Sequence, residues 1–205
     1  MDNVGGHPFL DIILSEIKKQ GIVRVILCAG YKAEALEEYY RKNHLGLQIE
    51  FSKEVEPLGT GGAVKNAKAF VKSDHFFVLN GDSLCRLDLK EIFNFHLVKK
   101  AMATIAVSEV KDAKDFGSIV LDKELRIKAF SEKEKSSAGY VNAGIYVFER
   151  KIFDLMPAQK QFSAEKDLFP KLAGKEFYGF ITKEEFIDIG TPERYRVARV
   201  SLRRR

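Results

Sequence analysis

Residues 75–82 read His-Phe-Phe-Val-Leu-Asn-Gly-Asp, a short apolar run that ends in a polar turn. Such a run predicts a buried strand, and residues 23–29 (Val-Arg-Val-Ile-Leu-Cys-Ala) predict another. The sequence around them predicts helices over 32–42, 61–71 and 87–99 and an alternating strand over 47–51. Strands that alternate with helices of about 10 to 15 residues are typical of a parallel α/β sheet.

The pattern changes after residue 100. Short strand-like runs follow one another with only turns between several of them, which is typical of antiparallel strands. These runs cover residues 104–107, 118–121, 126–130 and 144–148. Later elements are predicted as helices over 149–155 and 164–172, strands over 177–181 and 186–189, and a last helix capped by Thr191 with Pro192 at its first position.

Together these elements predict an α/β fold: a mixed, mostly parallel Rossmann-like sheet with helices on both faces. No linker, repeat or low-complexity block interrupts the chain, so we expect residues 1–205 to form one domain. The chain opens with a predicted helix over 8–19, whereas sheets of this kind usually open with a strand and a phosphate-binding turn.

Composition excludes several classes of protein. With 205 residues, 45% hydrophobic and 31% charged, the chain is neither collagen-like nor disordered. Two distant cysteines, Cys28 and Cys85, exclude a disulfide framework and a Cys-rich zinc site, and we expect a cytoplasmic protein.

The net charge is +5, but residues 203–205 supply three of the arginines. No basic stripe carries interleaved aromatics, so no nucleic-acid partner is expected. No apolar run approaches the roughly 20 residues that span a bilayer, so no membrane partner is expected.

The Gly-rich segment, residues 56–63 (Glu-Pro-Leu-Gly-Thr-Gly-Gly-Ala), lies between a predicted strand and a predicted helix. Its glycines would let the backbone approach a flat or anionic ligand, and the helix N-terminus would favour negative charge. The segment is neither a GxGxxG motif nor a P-loop, and a plain turn explains it equally well.

Two carboxylates stand at predicted strand ends. Asp82 follows Asn80-Gly81 at the end of an apolar run, and Asp188 precedes Ile189-Gly190. Ligands of open α/β sheets lie at the carboxyl ends of the strands, where an Asp can hold a divalent metal on a phosphate. An Asx turn or a helix cap is the commoner use of such an Asp.

Two further short motifs lie between these carboxylates. Glu132-Lys133 follows a predicted strand, and Asn142-Ala143-Gly144 opens the next one. The small residues of the second motif would let backbone groups approach a sugar. A solvated charged turn is the alternative for the first motif.

As an ordered set, these motifs resemble the sugar-1-phosphate nucleotidyltransferases, closest to the D-glycero-D-manno-heptose 1-phosphate and mannose-1-phosphate guanylyltransferases. The resemblance runs from Met1 to about Tyr195. It implies the nucleotide-diphospho-sugar transferase fold and a reaction in which a sugar-1-phosphate oxygen attacks the α-phosphorus of an NTP, GTP being favoured, and expels pyrophosphate. It also implies Mg²⁺ as cofactor and GDP-sugar synthesis for cell-surface polysaccharides, and it allows a homo-oligomer.

The resemblance further implies the roles of individual residues. It assigns the metal to Asp82 and Asp188, with Lys133 as a further catalytic residue. It places the nucleotide against Gly59, Thr60, Gly61 and Gly81. It places the sugar phosphate against Gly117, Glu132, Lys133, Asn142 and Gly144.

The sequence also departs from the family. The family's first strand, its loop of the type L-A-G-G-x-G-T-R and the Lys-Pro that follows are not found in residues 1–205. We therefore expect a domain that is truncated at its N-terminus relative to the family, with core surface exposed where a central strand is missing. Met1 matches an internal methionine of the family.

Two other interpretations stay open. The chain would then be a non-catalytic partner that binds sugar phosphate or nucleotide, or a generic α/β domain whose motifs are caps and turns. A last expectation concerns the sugar pocket: a hairpin of 126–130 and 144–148 would bring Glu132 and Lys133 beside Asn142.

Overall fold

The computed structural model describes residues 3–4, 6–110, 118–131 and 139–202, and the fold is given for these. The strands are β1 Asn3–Val4, β2 His7–Pro8, β3 Arg24–Ala29, β4 Gln48–Lys53, β5 His75–Leu79, β6 Ser83–Cys85, β7 Ala103–Val110, β8 Ser118–Leu121, β9 Ile127–Ser131, β10 Gly139–Glu149, β11 Phe177–Thr182 and β12 Phe186–Asp188. The helices are α1 Phe9–Lys19, α2 Ala33–Lys42, α3 Gly59–Asn66, α4 Leu89–Val98, α5 Ile152–Leu155, α6 Phe169–Leu172 and α7 Pro192–Ser201. A 3₁₀ turn, Ala67–Phe70, follows α3, and a π-helical turn, Ala164–Leu168, precedes α6.

The main sheet is built around β10. Its strand order is β11-β7-β10-β8-β9, and β5 pairs with the second half of β10. β10 runs antiparallel to β5, β7 and β8, whereas β11 is parallel to β7. Among the described strands of this sheet, β5, β7, β8 and β11 therefore run one way and β9 and β10 the other. The predicted mixed α/β fold is confirmed. Most hydrogen-bonded pairs of the main sheet are antiparallel, however, and not parallel as predicted, because β10 lies between strands of the opposite direction.

Helices cover both faces of this sheet. Ile105 and Phe148 belong to one buried cluster, which α5 and α6 complete. Their strand neighbours Ala106 and Val147 belong to the other cluster, which α1, α2 and α4 complete. This alternation follows from the period of two along a strand. In α7, the predicted cap is confirmed, because the Thr191 hydroxyl accepts a hydrogen bond from the backbone N–H of Arg194 (3.3 Å). No helix in the described ranges is long and apolar enough to cross a membrane.

β3 and β4 form a separate parallel pair. Alternate residues of β3 nevertheless reach both buried clusters, Ile26 in one and Leu27 in the other, and Phe76 and Phe77 of β5 divide in the same way. Within the described residues, β3 pairs only with β4 and β5 only with β10. The two strands thus lie in one layer without hydrogen bonding to each other. The expected absence of a central strand stays a prediction.

The expected hairpin of 126–130 and 144–148 is wrong. β8 lies between β9 and β10, so that Ser131 pairs with Ser118, which in turn pairs with Val141. Two strand spacings, about 10 Å, therefore separate the end of β9 from β10. The reason is the tight turn Asp122–Leu125, which a hydrogen bond from Leu125 N–H to the Asp122 carbonyl closes (3.0 Å). This turn makes β8 and β9 a hairpin of neighbouring strands.

Candidate active site

Asp82 and Asp188 meet at one end of the short β6–β12 pair. Asp188 ends β12 opposite Ser83, the first residue of β6, and Asp82 immediately precedes Ser83. The Ser83 hydroxyl oxygen lies 3.1 Å from Asp82 Oδ1 and 3.5 Å from Asp188 Oδ2. A backbone hydrogen bond from Ile189 N–H to the Asp82 carbonyl (2.9 Å) fixes the two turns together. The structure thus brings together two carboxylates that are far apart in the sequence.

Asp188, the last residue of β12, is oriented by an arginine of the helix that follows. The Arg194 guanidinium, on the first turn of α7, lies 2.8 Å from Asp188 Oδ1. The Asp188 side chain is 15% exposed, and the arginine offsets much of the cost of burying that charge. Gly190 keeps the space between the carboxylates open, because a Cβ there would lie 3.4 Å from an Asp188 oxygen and 3.6 Å from an Asp82 oxygen.

The carboxylates rest against a bulge of β10. The pairing register of β10 shifts between Asn142 and Tyr146, and Gly144 within the bulge has φ 73°. A Cβ on Gly144 would lie 3.0 Å from the Ser83 Cβ and 3.2 Å from the Asn80 side chain. Only glycine fits a site that combines a left-handed φ with such close backbone approach. Gly144 therefore belongs to the floor of this cluster.

Asn142 is held by internal hydrogen bonds. Its Nδ2 donates to the Tyr146 phenol oxygen (2.7 Å), and its Oδ1 accepts from the Gly144 N–H (2.9 Å). The amide thus closes the bulge from inside. Its predicted contact with the sugar is not tested by this geometry.

Tyr146 is a buried phenol beneath the cluster, with 3% of its surface exposed. Burial raises its pKa, and the nearby negative charges of Glu165 and Asp82 raise it further, while hydrogen bonds with Asn142 and Asn80 lower it. The phenol is therefore neutral at physiological pH.

The Gly-rich segment forms the first turn of α3, and chain residues pack against it. The backbone N–H groups of Gly61 and Gly62 both donate to the Phe162 carbonyl (3.1 Å each). A Cβ on Gly59 would lie 2.7 Å from the same oxygen, and a Cβ on Gly61 would overlap the Phe162 ring. The need for glycine here follows from Phe162, so the glycines by themselves are no evidence of a ligand, and the helix N-terminus is already capped.

Thr60 connects the Gly-rich segment to the π-helical turn. Its hydroxyl donates to Glu165 Oε2 (2.6 Å), and its oxygen accepts from the Ala164 N–H (2.9 Å). The Ser163 hydroxyl donates to the same Glu165 oxygen (2.8 Å). π-helical turns are rare and occur frequently at functional sites.

The other predicted site residues divide into two groups. Gly81 lies in the turn between β5 and β6, where a Cβ would meet no atom within 4 Å. Gly117, Glu132 and Lys133 lie outside the described residues. The roles of the predicted nucleotide- and sugar-binding residues stay predictions.

The donor set at the cluster suits a magnesium ion. Asp82 and Asp188 supply hard carboxylate oxygens, and Mg²⁺ is usually held by one or two carboxylates together with substrate phosphates and water. Within the described ranges no group of three or more His, Cys, Asp or Glu side chains could hold a metal by itself. The cluster therefore fits an ion that arrives with a phosphate.

Sequence reasoning missed several members of this site. Ser83 and Tyr146 read as ordinary strand residues, Glu165 as part of a helix, and Arg194 as one of many exposed cations. The spacing of Arg194, six residues after Asp188 and one turn into a capped helix, is the one signal that pointed to a contact. The other three come together only through tertiary pairing.

The fold and the paired carboxylates at the strand ends indicate the class of protein to which the chain belongs. The nucleotidyl transferase family profile matches residues 1–205, and the chain belongs to that family of enzymes. It is 39% identical over 203 residues to D-glycero-α-D-manno-heptose 1-phosphate guanylyltransferase of Aneurinibacillus thermoaerophilus, covering 98% of this chain and 88% of that protein. It is 39% identical over 193 residues to mannose-1-phosphate guanylyltransferase of Mycobacterium tuberculosis, covering 92% of this chain and 54% of that protein.

A solved structure is also similar. HddC from Yersinia pseudotuberculosis, complexed with GMP-PN, superposes with a TM-score of 0.89 at 36% identity, covering 98% of this chain and 88% of that one. The predicted resemblance to this family is thereby confirmed.

Proposed function

We propose that this protein is a Mg²⁺-dependent guanylyltransferase that makes a GDP-sugar, GDP-heptose or GDP-mannose, from GTP and a sugar 1-phosphate. The observation that carries the proposal is the convergence of Asp82 and Asp188 on the Ser83 hydroxyl. The names of the two relatives and the GMP-PN bound to the Yersinia protein support the base and the sugar class.

The reaction joins two phosphates. A phosphate oxygen of the sugar 1-phosphate forms a bond to the α-phosphorus of GTP, the bond from that phosphorus to the bridging oxygen breaks, and pyrophosphate leaves. Catalysis of this kind depends on positioning and on neutralising charge. Bound magnesium supplies positive charge at the α-phosphate.

The chain's own residues have separate tasks in this proposal. Asp82 and Asp188 would hold the ion, while Ser83 and Arg194 keep the two carboxylates oriented. Lys133 would neutralise the sugar phosphate. The nucleotide would lie against Gly59, Thr60, Gly61 and Gly81. The sugar phosphate would lie against Gly117, Glu132, Lys133, Asn142 and Gly144.

A non-catalytic binding protein is the second candidate. The observation that favours it is the sequence itself, since residues 1–205 carry no Gly-rich loop with an arginine and a following Lys-Pro. Such a protein would bind the sugar phosphate or the nucleotide and release no pyrophosphate.

Pyrophosphate release decides between the two candidates. The purified chain is incubated with GTP, Mg²⁺ and either mannose 1-phosphate or D-glycero-α-D-manno-heptose 1-phosphate, and GDP-sugar is quantified by chromatography. We expect product that requires metal and sugar phosphate and disappears in Asp82→Asn. Binding of both substrates without product would support the binding protein, and binding of neither would overturn both candidates.

The reaction consumes a nucleoside triphosphate, and we place it in the cytoplasm. Both cysteines are unpaired, Cys85 buried and Cys28 exposed, which suits a reducing compartment. The product would be a sugar donor for cell-surface polysaccharides.

A further inference from the structure

Asp188 uses one of its two carboxylate oxygens for contacts within the protein. Its Oδ1 accepts a hydrogen bond from Nη1 of Arg194 (2.8 Å) and a second from the backbone N–H of Gly190 (3.1 Å). Each oxygen of an ionised carboxylate offers about two acceptor positions, so those of Oδ1 are taken. The other oxygen, Oδ2, lies on the side of the Ser83 hydroxyl (3.5 Å) and is left for an ion.

The two carboxylates of the cluster differ in their surroundings. The Asp188 side chain is 15% exposed and pairs with Arg194, whereas Asp82 is exposed. Among the residues that the structure describes, no lysine or arginine nitrogen lies within 4.0 Å of the Asp82 carboxylate. The two carboxylates and the guanidinium together therefore carry a single formal negative charge.

Arg194 stands at a position where a helix disfavours a cation. It is the third residue of α7, after Pro192 and Glu193. The first turn of a helix carries a partial positive charge from its free N–H groups, which repels another positive charge. The contact with Asp188 offsets this repulsion, so the carboxylate and not the helix explains why an arginine suits this position.

The charge of Arg194 acts in opposite directions on two forms of a divalent cation. A free ion is repelled by the guanidinium and attracted by the carboxylates, so Arg194 lowers its affinity. The complex of a divalent cation with GTP carries a net negative charge, which the guanidinium attracts. Mg²⁺ also commonly keeps substrate phosphates among its ligands, so the phosphates can take the place of the carboxylate oxygen that Arg194 occupies.

We propose that Arg194 makes the carboxylate pair select the complex of a divalent cation with GTP over the free cation. This inference rests on the proposed function and gives Arg194 a task beyond orienting Asp188. Arg194 is a positioning residue, because it acts through its charge and through Asp188 and needs no contact with the reacting atoms.

The test measures binding of Mn²⁺, so it does not depend on turnover. Electron paramagnetic resonance gives the Kd of free Mn²⁺, and calorimetric titration gives the Kd of the equimolar complex of Mn²⁺ with GTP. Both are measured for the wild-type chain, Arg194→Gln and Arg194→Lys. Arg196→Gln, which removes the same charge from an exposed position of α7, is the matched control.

We expect Arg194→Gln to bind free Mn²⁺ about tenfold more tightly than the wild type, because a positive charge beside the ligand oxygens is lost. Its Kd for the complex with GTP should stay the same or rise. Arg194→Lys keeps the charge, so both Kd values should stay within about threefold of the wild type. Arg196→Gln should leave both unchanged. Circular dichroism checks folding, and Arg194→Met, which keeps the length of the side chain, replaces Arg194→Gln if that variant does not fold.

Two results would overturn the inference and leave the proposed function intact. An equal or weaker affinity of Arg194→Gln for free Mn²⁺ would make Arg194 a support of Asp188 alone. An equal gain of affinity in Arg196→Gln would assign the effect to the overall charge of the chain. A wild-type chain that binds neither free Mn²⁺ nor its complex with GTP would contradict the proposed function as well.

Discussion

Asp82 and Asp188 are the side chains on which the proposed chemistry depends most directly. We expect Asp82→Asn and Asp188→Asn each to weaken Mn²⁺ binding in the presence of GTP by about tenfold or more, because each removes one of two anionic ligands. Binding of GTP without metal should change little. Electron paramagnetic resonance of bound Mn²⁺ and metal-free titration of GTP measure the two quantities.

Ser83→Ala is the matched control for this pair. It removes the shared hydroxyl and leaves both carboxylates in place, so metal binding should fall less than in either Asn variant. Full retention of Mn²⁺ binding by Asp82→Asn or Asp188→Asn would show that the carboxylate concerned does not hold the ion.

His96 makes stability depend on pH. It is 0% exposed on α4, and its Nδ1 lies 2.9 Å from the Thr104 hydroxyl. Its Nε2 has no hydrogen-bond partner among the described residues. Burial lowers its pKa to about 4, and the neighbouring His75 contributes, while Glu149 opposes the shift. Between pH about 6.5 and about 4 the unfolded chain therefore binds a proton that the folded chain excludes. Stability should fall as pH falls through this window, by about 3 kcal/mol in total.

Urea unfolding between pH 7.5 and 4 measures this effect. In His96→Gln the loss across the window should become smaller, since the titrating group is gone. His7→Gln, at an exposed position, should keep the wild-type profile. Identical slopes in all three proteins would show that His96 does not cause the dependence.

The contact between α3 and the segment before the π-helical turn depends on small residues. A Cβ on Gly62 would overlap the Lys160 carbonyl oxygen, and backbone atoms cannot move aside cheaply. We expect Gly62→Ala to lower the free energy of unfolding by about 1–3 kcal/mol, as overpacking typically does. Gly81→Ala, where a Cβ meets nothing within 4 Å, should leave it within about 0.5 kcal/mol. Chemical denaturation measures both, and equal stabilities would contradict the close approach.

β5 and β7 should differ in hydrogen exchange. β7 has neighbours on both sides, β10 and β11, whereas β5 pairs only with β10 among the described strands. Successive amides of a strand point to opposite edges, so about every second amide of β5 should exchange fast, while most amides of β7 are protected. Residue-resolved exchange by NMR tests this. Uniform protection along β5 would show that its second edge is covered.

A chain that consists of residues 1–205 alone is expected to turn over slowly. Residues 1–205 lack a Gly-rich loop with an arginine, and preorganised donors around a phosphoryl group are each worth about 10²–10³ in rate. Against a typical kcat of about 10 s⁻¹, we expect a value below about 0.1 s⁻¹ for pyrophosphate release from GTP and sugar 1-phosphate. Robust turnover by this chain would show that other groups hold the triphosphate.

Much of the fold follows from local pattern. The apolar runs, the alternating helices and the Thr191 cap depend on residues close in sequence, and each of these elements forms within a few residues of its predicted bounds. The predicted hairpin of β9 with β10 is wrong because β8, joined to β9 by a tight turn, pairs with both strands. The four-residue turn after β8 placed that strand between them.

The candidate site likewise combines residues that local sequence pattern indicates with residues that only the tertiary structure brings together. Asp82 and Asp188 were identified from their places at strand ends, and Gly144 from a run of small residues. Ser83 and Tyr146 carry no sequence signal, because their partners come from β12 and from the β10 bulge. Phe162 explains Gly59 and Gly61, and the Lys160 carbonyl explains Gly62, although the sequence alone assigns these glycines equally well to a ligand or to a turn.

Periodicity and residue type, which act over a few positions, thus indicate the α/β class from the sequence, and the ordered set of motifs indicates the family and the two candidate carboxylates. The shared environment of those carboxylates, the packing of Phe162 on the Gly-rich segment and the hydrogen bond from Thr60 to Glu165 arise only when distant strands and helices pack together. Such contacts depend on distances of a few ångströms between residues up to 105 positions apart, which no local pattern encodes.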